Sequence, residues 1–179
     1  MGEVFDVLDE NGVRTGKTVG REAAHRDGVY HLAAILFLVN SKGQVLLQKR
    51  SHTKQRWPGC WDGAGGGHVG AGELGLFCVI RELEEELGVR VEPGDVRYIG
   101  VYRSNTKDGA VWDAHFNEFY VAHKDVDIKD IKLQASEVED IKWVDFAKFK
   151  KMVKDRDAAL TTKWQAFDAL IHYVEKYCK

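Results

Sequence analysis

Proline is nearly missing from this 179-residue chain, with only Pro58 and Pro93 present, and no low-complexity tract or internal repeat divides it. Nothing therefore reads as a linker between separate units, and the length suits one compact domain over residues 1–179. Cysteine is scarce as well. Cys60, Cys78 and Cys178 form no C-x-x-C pair, and an odd count without a secretion signal fits free thiols in a reducing cytosol. Long apolar runs are missing too: Leu32 to Val39 is far too short to cross a bilayer. The N-terminus Met1-Gly2-Glu3-Val4-Phe5-Asp6 has neither the basic region nor the apolar stretch of a signal peptide. Finally, no charge of one sign dominates. The 26 basic and 28 acidic residues leave a formal net of −2, which argues against a bulk nucleic-acid or membrane-surface binder. The expectation is a cytoplasmic protein with a small-molecule partner, and a small anion remains admissible because a phosphate needs only a few local cations.

What is present is ordinary core material, with hydrophobic residues at 44% and five Trp, eight Phe and six Tyr to fill an interior. Asn11-Gly12 between two apolar-rich runs predicts a hairpin within an N-terminal extension over residues 1–28. Val29 to Val39 reads as a buried strand, and after the turn at Asn40-Ser41-Lys42-Gly43 the segment Gln44 to Arg50 reads as a second. Residues 51–72 read as a long functional loop. Eight glycines fall within residues 59–75, a density that signals positive φ or close approach to a ligand.

A helix is predicted from Leu74 to Leu87, with Leu76, Ile80, Leu83 and Leu87 as its apolar stripe and Gly88 as its stop. Val96–Ser104 and Val111–Ala122 read as a strand pair, and Ile141–Val144 as a short strand. Trp164, Phe167, Ile171 and Val174 mark an amphipathic helix within residues 160–178. Strands with interspersed helices make this an α/β or α+β fold.

The chemistry concentrates on the first helix. At about 100° per residue, Glu82, Glu85 and Glu86 fan out away from Leu76, Ile80 and Leu87. Carboxylates crowded on one face repel, and a hard divalent cation such as Mg²⁺ or Mn²⁺ relieves the repulsion. A glutamate run alone is usually a solvated face. The flanking residues change that reading. Gly67, Glu73, Arg81, Glu82, Leu83, Glu85, Glu86, Gly88 and Val89 satisfy every fixed position of G-x5-E-x7-R-E-U-x-E-E-x-G-U, with U aliphatic. A chance match has a probability below about one in a million.

On that pattern, over residues 67–89, the chain is identified as a member of the Nudix hydrolase superfamily. The resemblance implies an α/β/α sandwich around a mixed sheet and hydrolysis of a diphosphate linked to another moiety. It further implies that Glu85 and Glu86 bind metal with the Gly67 carbonyl, that Glu82 binds metal or helps activate water, and that Glu73 pairs with Arg81 to brace the loop against the helix.

A broader similarity, from about Val7 to Val144, is to the branch that includes isopentenyl-diphosphate isomerase. It rests on Ala23-Ala24-His25, His31-Leu32-Ala33, Arg50-x3-Lys54-x2-Trp57-Pro58-Gly59-x-Trp61 and Gly67-His68. That resemblance implies a second metal site at His25, His31 and His68, a further metal carboxylate at Glu118, and diphosphate contacts from Arg50 and Lys54. The isomerase needs a protonating cysteine immediately before the Gly-His pair, and that position is Gly66. Allylic isomerisation needs a proton donor and acceptor on opposite faces, so hydrolysis is the expectation. The isomerase and a non-catalytic nucleotide sensor are its rivals. Trp61, Tyr102 and Trp112 read as packing residues, with stacking on a base as the alternative. A homodimer could form through an edge strand or the N-terminal hairpin.

Overall fold

A computed structural model describes residues 2–109 and 111–178. Its N-terminal unit is a hairpin of β1 (Val4–Leu8) and β2 (Arg14–Gly20), followed by α1 (Arg21–Asp27), which ends at Gly28 in the left-handed conformation. The body is a seven-stranded mixed sheet built from β3 (His31–Val39), β4 (Gln44–Arg50), β5 (Trp61–Asp62), β6 (Gly65–His68), β7 (Val96–Asp108), β8 (Val111–His123) and β9 (Val138–Asp145). The path runs β5-β4-β3-β8-β7, with β6 against β3 and β9 against β4. The β3–β8 pairing is parallel, whereas β7–β8 and β4–β9 are antiparallel.

Alternation along the strands gives the sheet two apolar faces. Ala34, Leu36 and Leu38 of β3 point to α2 (Gly75–Leu87) and pack with its Val79, Leu83 and Leu87. Ile35, Phe37 and Val39 point the other way, to α3 (Phe146–Lys154) and α4 (Trp164–Tyr177), where Phe149, Phe167 and Leu170 are fully buried. Because β3 is covered on both sides, it reads in sequence as a continuous apolar run. The result is a helix–sheet–helix sandwich, as expected. Gly88 ends α2 with φ 67°, a left-handed cap that glycine adopts without Cβ strain.

Three details differ from the sequence reading. The buried stripe of α2 is Cys78, Val79, Leu83, Glu86 and Leu87, while Leu76 and Ile80 sit half-buried on its flank. Glu86 therefore turns inward, away from the exposed Glu84 and Glu85. The segment 51–72 is only partly loop, because β5 and β6 lie within it. Two helices, α1 and α3, were not anticipated; α1 is short, and the basic face of α3 hides an apolar side of only Phe149 and Val153.

The glycines of β6 serve close approach rather than positive φ. Strands β3 and β4 pair directly only at Leu38–Leu46 and Val39–Val45, and then part. Strands β5 and β6 fill the wedge. A Cβ on Gly65 would meet the Leu83 Cα at 3.2 Å, and one on Gly66 would stand 2.5 Å from the Ala34 carbonyl oxygen. Backbone cannot yield as a flexible side chain can. Gly66→Cys is therefore expected to lose about 1–3 kcal/mol in urea unfolding, as overpacked positions do. An unchanged midpoint would show that β3 and β6 separate readily.

Candidate functional site

The Gly67 end of β6 lies directly under α2. A Cβ at Gly67 would come within 2.7 Å of Glu82 Oε1, so the absent side chain makes the space that this carboxylate occupies. Arg81 organises the acidic face. Its Nε and Nη2 donate to the two oxygens of Glu73 at 3.1 and 3.2 Å, and its Nη1 reaches Glu82 at 2.8 Å and Glu85 at 3.2 Å. Glu73 also accepts the Gly70 N–H at 2.9 Å, which ties the loop ahead of α2 to the same guanidinium. One fixed cation thus gathers three carboxylates in a planar fork.

Glu86 stands apart. It is 5% exposed, and Gln48 Nε2 donates to its Oε2 at 3.0 Å. Burial pushes its pKa up to about 8, against the small opposing effect of the Gln48 hydrogen bond. Burial also raises Glu82, although Arg81 pulls the other way. A buried carboxylate without a matching cation is costly as an anion. Glu82 lies against Gly67, Glu85 is exposed and Glu86 is buried toward Gln48; carboxylate donors of this kind suit a hard divalent cation.

A second cluster occupies the opposite face of the sheet. In register, Ala33 pairs with His68 and His31 with His115, so these histidines lie on the side away from α2. His25 of α1 joins them. One ring nitrogen from each of His25, His31 and His68 lies within 4.8 Å of the others. Phe5 of β1 stacks on His31 and His68 at 4.9 and 5.0 Å and shields them. His31 Nδ1 is 2.9 Å from the Val29 carbonyl oxygen, while His25 Nδ1, His31 Nε2 and His115 Nδ1 are buried without a hydrogen-bond partner. His25 Nδ1 also lies 3.6 Å from Asp113 Oδ1, and a group of three imidazoles suits a borderline transition ion better than Mg²⁺. His115 was missed in the sequence; its pairing opposite His31 becomes visible only once the β3–β8 register is known.

The remaining expected residues are placed as follows. Glu118 pairs with Ala34, on the α2 face, and lies apart from the histidines. Its Oε2 accepts from Tyr120 at 2.6 Å and crowds Gly75 at the start of α2. Lys54 is ion-paired with Glu137. Arg50 donates from Nε to the Arg56 carbonyl at 3.1 Å and approaches the buried Asp62 at 3.8 Å. Among the described residues no helix is long and apolar enough to cross a membrane.

The sequence profile of the NUDIX domain matches residues 29–164, and the chain belongs to that family. It is 37% identical over 163 residues to Nudix hydrolase 3 of Arabidopsis thaliana, a match that covers 88% of this chain but 21% of that protein. The chain thus spans about a fifth of that relative's length. It is 34% identical to an uncharacterized Nudix hydrolase of Listeria innocua, with 79% of each chain covered. It is 36% identical to the isopentenyl-diphosphate Delta-isomerase of Escherichia coli, over 79% of this chain and 76% of the isomerase. Among solved structures, DR0079 of Deinococcus radiodurans superposes with a TM-score of 0.69 at 20% identity, covering 99% of this chain and all of that one. Family and relatives together place the chain with the hydrolases of phosphorus-containing acid anhydrides.

The buried histidines carry a pH consequence. Burial lowers His31 to about 4 and His115 to about 3, from an ordinary 6.5. Below 6.5 the unfolded chain takes up protons that the folded one refuses, so stability is complete above that pH and lost as pH falls toward about 4. Thermal unfolding of metal-free protein should show this fall, and His115→Gln should reduce it. A flat profile would contradict the burial of neutral imidazoles.

Proposed function

We propose that the chain is a divalent-metal-dependent hydrolase that cleaves the diphosphate of a nucleoside diphosphate derivative or a related small diphosphate. The observation that carries this reading is the acidic face of α2: Glu82 and Glu85 gathered by Arg81, and Glu86 buried without a cation of its own. A sensor would need no such arrangement. Glu82, Glu85 and Glu86, with the Gly67 carbonyl, would hold Mg²⁺ or Mn²⁺. When bound, such an ion screens phosphate charge and lowers the pKa of water. Glu82 accepts a proton from the attacking water, and Glu73 and Arg81 keep Glu82 oriented. Arg50 would contact diphosphate oxygens; Lys54 would have to leave Glu137 to do so.

His25, His31 and His68 would hold a second ion on the other face, and the approach of one ring nitrogen from each to within 4.8 Å of the others supports that assignment. The isomerase is disfavoured by position 66. A side chain there requires the local backbone to shift, because the Ala34 carbonyl stands 2.5 Å from the Cβ position. ADP ribose merits a place among candidate substrates, since the Nudix domain of Shewanella oneidensis NrtR was solved with that ligand, at a TM-score of 0.58 and 20% identity.

The test is phosphate or nucleotide release from a panel of nucleoside diphosphates, ADP ribose and isopentenyl diphosphate, with Mg²⁺ and with chelator. Chelation should abolish cleavage, and Glu82→Gln should lower kcat by about 10²–10⁴-fold, the usual worth of a positioned general base. Parent-level turnover by that variant would remove Glu82 from the mechanism. In the same assay, less Mg²⁺ should be required as pH rises from about 6.5 to 8.5, because the ion displaces the Glu86 proton. In Glu86→Gln that trend should vanish, and its persistence would place the titrating group elsewhere.

A further inference from the structure

Where β3 and β4 part, a small polar cleft opens beside the acidic helix, lined by Gln48, Arg50, Asp62, Lys163 and the backbone of Gly65 and Gly66. Gln48 forms its inner wall. It is 5% exposed, its amide nitrogen is spent on Glu86, and its Oε1 is buried with no partner. Asp62 is 3% exposed. Its Oδ2 accepts from Lys163 Nζ at 2.7 Å and lies 3.8 Å from Arg50 Nη1, and its Oδ1 accepts from the Gly63 N–H at 2.8 Å. Thr161 Oγ1 approaches the same Oδ1 at 3.3 Å.

The charges here do not cancel. Arg50 and Lys163 bring two positive charges against the one negative charge of Asp62, which leaves one positive in a half-enclosed space. Lys163 uses one of its three donors on Asp62, and the Arg50 Nη groups make no hydrogen bond among the described residues. A purely structural pair would be balanced, because surplus charge in a desolvated site costs stability. The cleft itself has room for about one water, which the unpaired amide oxygen could bind, so an anion drawn by the spare donors of Arg50 and Lys163 would lie across its mouth.

We propose that Lys163 is a substrate-binding residue: together with Arg50 it holds the phosphoryl oxygens on the side of the diphosphate away from Glu82 and Glu85, and Asp62 is its positioning residue. The inference rests on the hydrolase reading for the identity of the anion. Gln48 links the two halves of the site, touching Glu86 on one side and the cleft on the other. A diphosphate lying across it would meet helix-bound metal at one phosphoryl group and the cations at the other. The Trp57 ring centroid lies 5.7 Å from the Lys163 ammonium, within cation–π range.

Calorimetric titration with methylenediphosphonate and Mg²⁺ tests this without requiring turnover. Lys163→Met and Lys163→Gln should weaken binding about tenfold or more, as expected for a charge-assisted hydrogen bond, while Lys163→Arg retains most of it. The glutamine variant keeps a donor for Asp62, so it separates lost charge from a lost anchor. In the parent, methylenediphosphonate should also slow acetylation of Lys163 by acetic anhydride, read by peptide mass. Parent-like affinity in both neutral variants, or unprotected Lys163, overturns the inference even if the parent hydrolyses the panel. Lys163-dependent binding by a parent that cleaves nothing would support the inference and overturn the hydrolase reading alone.

Discussion

The approach of α2 to β6 is the constraint on which the rest of the molecule depends. A strand without side chains at Gly65, Gly66 and Gly67 lets Leu83 and Glu82 sit almost on the sheet backbone. Any Cβ there would push the helix outward or part β6 from β3. Contact at this distance places Glu82 over Gly67, buries Glu86 against Gln48 and keeps Arg81 within reach of the loop residue Glu73. The same strand ends at His68 on the opposite face. Two side-chain clusters of different chemistry are thus positioned by one short run of backbone.

Electrostatics then separates the clusters. On the α2 face, burial raises Glu82 against the pull of Arg81 and lifts Glu86 to about 8. On the other face, burial keeps imidazoles neutral and leaves nitrogens unpaired. Hard oxygen donors and softer nitrogen donors stand on opposite sides of one sheet, and each set is poorly satisfied by the protein alone. The wedge between β3 and β4 adds a third environment, with a surplus of positive charge. Carboxylates, imidazoles and cations are kept apart by strand parity rather than by distance in sequence.

Much of this was legible in the sequence where a local rule decides it. Asn11-Gly12, the apolar run of β3, the Gly88 stop and the spacing from Gly67 to Val89 each report local geometry. What stayed hidden depends on long-range register. Glu86 is turned inward because Val79, Leu83 and Leu87 choose the buried side of α2, and periodicity alone had favoured Leu76 and Ile80. His115 and Asp62 become visible only through pairing with His31 and Gln48. Lys163 precedes a helix about 100 residues away from its partner, Asp62. Glycine density signalled positive φ or close approach to a ligand; Gly59 and Gly72 have positive φ, while Gly65 and Gly67 lie against α2 and Gly66 against the β3 backbone. Glu118 lies on the expected strand, where its hydrogen bond with Tyr120 also depends on side chains two residues apart sharing a face.

The central claim is that the α2 carboxylates direct water onto phosphorus, and isotope placement tests it most directly. Turnover of a cleaved nucleoside diphosphate derivative in ¹⁸O-enriched water, followed by mass analysis of the products, reads the bond that forms. The account predicts one ¹⁸O atom in a phosphate-bearing product, dependent on divalent metal. Label confined to a carbon-bound hydroxyl, or dimethylallyl diphosphate formed from isopentenyl diphosphate without cleavage, would contradict it.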